Sequence, residues 1–423
     1  MRPVRGTAAV TAVAVALGAL LPAGAFAGER REPGIGQKPG VGREPGVGQK
    51  PGSGRERGEL LSAKKLETYT AVQAKKRLKA EGFDSKKVKY GVDTYRLVYR
   101  TVNGYGKPTK ASGLLVVPRN GNKRLKLVSY THGTASYRPD APSTSPEDGF
   151  VQGAPLTYGA AGFAATAPDY LGLGLGPGRH PWMDVRTETT ASLDMLRAAR
   201  EFLPRKGREA RRDVFVTGFS QGASAALGLA RELQRGKKWF RLRAVAPISG
   251  AYDIKGVLIP SMLTGKAQPK LSVAYTSYLL VSWNWKASIY DRPEEVFKQP
   301  YASRVEKYFD GSTPGEVMLK GLPDTLAELL TPRGFALLEK PSGRFAKALR
   351  DEDAICRDWT PKVPVRLYYD SRDEQVAPAN STSCHAWLKS TLRRLPATTY
   401  GGSPHLGSNL AGTAKAVRWF ASF

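Results

Sequence analysis

Asp213-Val214-Phe215-Val216-Thr217-Gly218-Phe219-Ser220-Gln221-Gly222-Ala223-Ser224-Ala225-Ala226-Leu227 is the stretch on which the fold turns. The β-branched and aromatic run Val214–Thr217 predicts a strand, and the Ala- and Leu-rich run Ala223–Gln234 predicts a helix. Between them lies G-x-S-x-G, from Gly218 to Gly222. A serine at so sharp a strand-to-helix turn stands on strained backbone. Glycines two residues to either side let the neighbouring chain pass without a Cβ clash. The helix start also offers free N–H groups and a positive dipole end to negative charge developing beside the serine. Five letters alone are a weak signal, and the strand before and the small-residue helix after give them weight.

A serine hydroxyl is a poor nucleophile without a base. Where the nucleophile sits on such an elbow, the chain order is serine, acid, histidine. Of four histidines, His132 and His180 precede Ser220, which leaves His385 and His405. His385 follows Cys384 at the start of a predicted helix. His405 lies in the Gly/Pro loop Gly401–Gly407, between a short predicted strand at Thr398–Tyr400 and a final helix at Ala411–Phe420. His405 is therefore the expected base. The acid should follow the preceding strand, Val363–Tyr369, where Asp370, Asp373 and Glu374 compete. Asp370 closes the strand and Glu374 opens the next turn. Asp373, in the loop before Val376-Ala377-Pro378, is expected to orient the imidazole.

An oxyanion needs a second wall. Tyr130-Thr131-His132-Gly133-Thr134 follows the predicted strand Leu125–Tyr130. Backbone N–H groups of Gly133 or Thr134, with that of Gln221, are the expected donors, and His132 is a positioning residue.

Outward from this centre, the chain alternates. Thr94–Val102 and Ala111–Val117 read as a hairpin, Phe163–Ala167 and Leu242–Ile248 as strands, and Thr189–Phe202 and Ser381–Leu395 as helices. A basic stretch, Ser62–Ala80, reads as a leading helix. The alternation argues an α/β architecture, a mostly parallel central sheet with helices on both faces. Residues 251–353, with Trp283 and Trp285, are too long for a loop and read as an inserted helical cap. Alternating glycines from Gly172 to Gly178 miss the register of a dinucleotide fingerprint, and Asp169 before them lines the site or caps a turn. No metal motif such as H-E-x-x-H or C-x-x-C occurs, and no cofactor or metal is expected.

The first 27 residues read as a signal peptide: Arg2 and Arg5, an apolar run Thr7–Leu21, and Ala25-Phe26-Ala27 before the cut. Export follows, with no transmembrane segment in the mature chain. Residues 28–58 form a Gly/Pro linker in which REPGIGQKPGVG and REPGVGQKPGSG repeat, followed by one domain at 59–423. Two cysteines, Cys356 and Cys384, suit one disulfide in an oxidising compartment. The formal charge of +28 reads first as solubilising, and an anionic cell surface is the partner such a field would favour. Lys and Arg are scattered without a nucleic-acid motif, so no nucleic-acid partner is expected.

Taken in order, Tyr130–Thr134, Ala167–Gly174, Gly218–Gly222, Ser371–Pro378 and Gly401–His405 resemble secreted bacterial α/β-hydrolases related to the secretory lipase family, which includes fungal lipase A. The resemblance runs from about Thr94 to Phe423. It implies an α/β-hydrolase fold, a large helical cap between the sixth and seventh strands, and cofactor-free hydrolysis of carboxylic esters, small-molecule or lipid. The N-terminal repeat and the basic surplus lie outside it. A serine exopeptidase of the same fold, or a non-catalytic basic surface-binding protein, are the alternatives.

Overall fold

The computed structural model describes residues 56–236, 239–265 and 267–423, so the expected signal peptide at 1–27 and nearly all of the linker at 28–58 lie outside the described residues. Among the described residues nine strands form one sheet, in the order β1-β2-β3-β5-β4-β6-β7-β8-β9. They are β1 (Leu60–Tyr69), β2 (Val92–Val102), β3 (Pro108–Pro118), β4 (Arg124–Thr131), β5 (Ala164–Pro168), β6 (Glu209–Phe219), β7 (Arg241–Ile248), β8 (Arg366–Tyr369) and β9 (Thr391–Arg394). The first three pair antiparallel, as do β3 and β5. From β5 to β9 the pairing is parallel.

The helices are α1 (Ala71–Ala80), α2 (Gly149–Ala160), α3 (Val185–Phe202), α4 (Gln221–Arg235), α5 (Ile259–Leu263), α6 (Pro269–Ala287), α7 (Val305–Tyr308), α8 (Gly315–Gly321), α9 (Leu326–Leu329), α10 (Pro332–Glu339), α11 (Gly343–Asp353), α12 (Ala379–Trp387) and α13 (Pro404–Phe420). Successive side chains of β6 point to opposite faces. Val214 and Val216 join one core with Leu196 of α3 and Leu227 of α4, while Phe215 joins another with Leu156 of α2 and Phe420 of α13. Helices therefore cover both faces, and the central strands read as unbroken apolar runs.

Helices α5 to α11 fall between β7 and β8 and build a third core around Tyr278, Trp283, Phe309 and Phe345. Trp283 is fully buried, and burying roughly 200 Å² of such a ring contributes on the order of 5 kcal/mol. The extra strand β1 shifts the count, so the insertion expected after the sixth strand follows the seventh.

Four expected elements come out differently. Ser62–Ala80 is a strand and a helix, because Thr70 caps α1 and its capping box with Gln73 ends the β1 run. Ser381–Leu395 is likewise split, into α12 and the edge strand β9. Thr398–Tyr400 is no strand, and Tyr400 makes only an isolated bridge to Ser403. The last helix starts at Pro404 rather than Ala411, capped by Ser403.

Parallel strands end at one edge. Ser220 follows β6, the loop of Asp373 follows β8, His405 follows β9 and the loop at 132–135 follows β4. The sheet thus collects residues far apart in sequence at its carboxyl end, where ligands of open α/β sheets bind.

Candidate active site

Ser220 occupies the turn between β6 and α4 with φ 57° and ψ −125°. The flanking glycines are required there. A Cβ on Gly218 would lie 2.1 Å from the carbonyl oxygen of Gly222, and one on Gly222 would lie 2.0 Å from that of Thr131. The Ser220 N–H donates to Ile248 O at 3.0 Å, which ties the strained residue to β7.

Ser220 Oγ stands 2.9 Å from His405 Nε2, and His405 Nδ1 stands 2.7 Å from Asp373 Oδ2. With Nδ1–H donating to the carboxylate, Nε2 is left to accept the serine proton. Asp373 Oδ1 accepts from the N–H groups of Gln375 (3.1 Å) and Val376 (2.8 Å), which fixes the carboxylate. Phe219 packs against the imidazole, with ring centroids 4.7 Å apart. The rival residues lie elsewhere. Asp370 is held by Arg372 at 3.0 Å, and His385 is exposed with Nδ1 3.0 Å from Ser390 Oγ.

Glu374 does something the sequence did not suggest. It accepts from the His405 N–H at 3.0 Å and from the Ser403 hydroxyl, so the acid loop clamps the first turn of α13. The missed signal was Ser403-Pro404, a cap followed by proline at the first helical position, which marks His405 as helical.

Gly133 lies beside the nucleophile: a Cβ there would sit 3.5 Å from Ser220 Cβ. Its loop is gripped from several sides. His132 stacks on Tyr170 with centroids 4.3 Å apart, and its Nδ1 lies 2.7 Å from Gly133 O. Burial pushes the His132 imidazole down to about 4, against its two backbone contacts, so the ring is neutral. Trp182 Nε1 donates to Thr134 Oγ1 at 3.0 Å, and the Tyr278 hydroxyl of α6 donates to Ala135 O at 3.1 Å. The inserted helix α6 also reaches the acid loop, where the Tyr275 hydroxyl donates to Gln375 Oε1 at 2.7 Å.

Behind the nucleophile, the Gln221 side chain enters a buried polar pocket. Its amide nitrogen lies 2.7 Å from Glu188 Oε1 and 2.9 Å from His180 Nε2. His180 Nδ1 lies 2.9 Å from Leu171 O. A neutral ring that donates to Leu171 leaves Nε2 to accept from the amide. Burial first, and the nearby His132, push the His180 imidazole down to about 3, against the Leu171 hydrogen bond. Burial raises the Glu188 carboxyl well above the usual carboxylate range. The Asp169 carbonyl lies 3.5 Å from His132 Nε2, while its side chain is engaged elsewhere. It is buried, accepting from Ser112 Oγ at 2.5 Å and from the Ser143 N–H at 2.9 Å.

Cys356 and Cys384 are bonded, with Cα atoms 5.2 Å apart, and tie the turn after α11 to α12. Among the described residues no cluster of His, Cys, Asp or Glu could hold a metal ion, and no helix is long and apolar enough to cross a membrane.

The rice cell wall degrading esterase LipA from Xanthomonas oryzae superposes with a TM-score of 0.75 at 26% identity, over 87% of this chain and 98% of that one. A putative hydrolase from Legionella pneumophila gives 0.75 at 23% identity, covering 86% and 98%. Lipase A from Candida antarctica gives 0.57 at 15% identity, covering 85% and 91%. No protein-family model matches the chain, and no curated protein matches it. Fold and neighbours agree: the chain has the α/β-hydrolase fold and, like the LipA esterase it superposes on, is a carboxylic ester hydrolase.

Proposed function

We propose that this protein is a secreted serine esterase acting through an acyl-enzyme, with Ser220 as nucleophile, His405 as base and Asp373 as the acid that orients it. The observation that carries the proposal is the continuous contact chain Ser220–His405–Asp373, at 2.9 Å and 2.7 Å. His405 takes the Ser220 proton as Oγ attacks the ester carbonyl. The N–H groups of Gln221 and of Gly133 or Thr134 hold the oxyanion. His405 then protonates the leaving alcohol, and water resolves the acyl-enzyme by the same route. Residues 251–353 act as a cap: its aromatic helix α6 contacts both the oxyanion loop and the acid loop, and so bounds the space left for the acyl or alcohol group. Short- to medium-chain esters are the proposed substrates. Residues 1–27 would direct export, 28–58 would space the domain from its surroundings, and the basic surplus would favour an anionic cell surface.

The test is p-nitrophenyl ester hydrolysis from acetate to palmitate, with Ser220→Ala beside the wild type. Activity should vanish in the variant, and the wild type should favour the shorter acyl chains. Equal turnover of long-chain emulsified lipid would overturn the chain-length assignment. Inertness of the wild type on every ester, with turnover of aminoacyl substrates, would point to the peptidase reading.

A further inference from the structure

Lysine and arginine are unevenly shared between the parts of this molecule. Residues 251–353 carry 14 Lys and Arg against 13 Asp and Glu, so nearly all of the +28 surplus lies outside them. Part of it gathers where the parallel strands begin: Lys123 and Arg124 at β4, Arg208 and Arg211 at β6, Arg241 and Arg243 at β7. Ser220 stands at the other end of β6, eleven residues on, which at about 3.3 Å per residue is roughly 30 Å or more away.

At the basic end a depression of about 280 Å³ opens between the start of β2, the end of β3 and the turn joining α3 to β6. Tyr95, Val117 and Pro118 are its buried floor, and Arg119, Lys206 and Arg208 stand around it. Its one acid, Asp93, is engaged by Lys65 at 3.1 Å and by the Thr68 hydroxyl at 2.6 Å. Among the described residues no carboxylate lies within ion-pair distance of Arg119, Lys206 or Arg208. Lys206 is held 5.2 Å over the Tyr95 ring, and an Arg208 N–H donates to Asn122 O, which steadies two of the three cations.

Arg119 lies in the field of Asp93, but three cations against that one acid, itself engaged by Lys65, leave a net positive charge that an entering anion offsets. A volume of about 280 Å³ has room for one sugar ring, and the cations at the rim suit a carboxylate carried on that ring. A bilayer would ask for apolar side chains standing out beside the cations. The exposed large hydrophobics lie elsewhere, and none lines the depression.

We propose that this depression binds a uronate unit of an acidic polysaccharide and seats the protein on that polymer. The proposal rests on the reading that the surplus charge serves an anionic surface, and it names the place and the ligand. The experiment measures binding of the full chain to polygalacturonate, to neutral dextran, and to phosphatidylcholine vesicles containing phosphatidylglycerol, at about 0.15 M salt. The Arg119→Gln/Lys206→Gln/Arg208→Gln variant should bind polygalacturonate roughly tenfold or more weakly. Lys307→Gln/Lys340→Gln/Arg344→Gln removes the same charge from the inserted segment and should bind like wild type. The Arg119→Gln/Lys206→Gln/Arg208→Gln variant should hydrolyse p-nitrophenyl butyrate at the wild-type rate, since the depression lies at the opposite end of the sheet from Ser220. Equal weakening in the two variants would overturn the site in favour of diffuse charge, and vesicle binding lost without any loss on polygalacturonate would overturn it in favour of lipid. Absence of wild-type binding to both anionic probes would instead sink the surface reading on which the proposal rests, with ester hydrolysis untouched.

Discussion

At Ser220 the backbone sits at φ 57°, a region costly to a side-chain-bearing residue, by of order 1–3 kcal/mol. The cost is met by the Ser220–Ile248 hydrogen bond and by glycines where neighbouring carbonyls approach within 2.1 Å of a virtual Cβ. The residue pattern was legible because the chemistry leaves few substitutes: only glycine fits either side of the elbow, and only a histidine late in the chain could serve it. The choice among Asp370, Asp373 and Glu374 was harder. All three are loop carboxylates within five positions of each other, and only the fold shows that Asp370 faces Arg372 while Glu374 caps the base loop. Their roles separate by experiment. Asp373→Asn should leave KM near wild type and lower kcat by roughly 10³–10⁴-fold, since the amide stabilises the wrong imidazole tautomer. Glu374→Gln keeps a hydrogen-bond acceptor for the His405 N–H and should lower kcat less than about tenfold. Steady-state kinetics on p-nitrophenyl butyrate reads both, and a reversed ranking would move the acid to Glu374.

Elements were legible where two signals coincided. The β6–α4 unit had an apolar strand, a glycine turn and a small-residue helix in series. Helix α2 escaped because Gly153, Pro155 and Gly159 lie inside it, and such residues ordinarily mark loops. The glycines are there for packing: a Cβ at Gly153 would lie 2.1 Å from the Phe83 ring, and one at Gly159 would lie 2.3 Å from Val116 Cγ1. The break between α12 and β9 had no glycine or proline to announce it, and β9, an edge strand of four residues with both arginines exposed, carries no alternating apolar pattern. The Cys356–Cys384 bond, expected from an even cysteine pair in an exported chain, is present and joins the hydrogen bonds of Asn380 and Ser383 in holding α12. It closes a separation of 28 residues, so Cys356→Ala/Cys384→Ala should cost about 3.6 kcal/mol in the chain-entropy account. The drop should appear as a lower denaturant midpoint, with kcat/KM on short esters changed less than about threefold. A loss of activity at full stability would mean that the bond shapes the Asp373 loop rather than the unfolded chain.

Over the whole molecule, contacts between distant segments decide what no local pattern carries. His132 and His180 lay outside the serine–acid–histidine order and drew no catalytic role, yet the fold buries both, His132 in the loop after β4, and keeps both rings neutral, near 4 and 3. Their shared consequence is an acid limb in the stability curve. In the unfolded chain each imidazole titrates at its ordinary value of about 6.5, so below that pH the unfolded state binds more protons. Stability from this source is therefore full above about 6.5 and falls as the pH drops towards 4 and 3, by about 1.4 kcal/mol per unit for each histidine. Buried carboxyls act in the opposite sense: burial raises Asp140 and Asp353 to about 6, so the stability they contribute at low pH is lost as the pH rises through that value. The net curve mixes the two, and a difference between variants separates them. His180→Gln keeps every carboxyl in place and removes one titrating ring from beside Gln221. Urea midpoints at pH 7 and pH 5 should show the variant losing about 2 kcal/mol less than wild type between those values, whatever its absolute stability. Parallel curves for the two proteins would mean that His180 is protonated in the fold, and the Gln221 amide could then no longer donate to its Nε2.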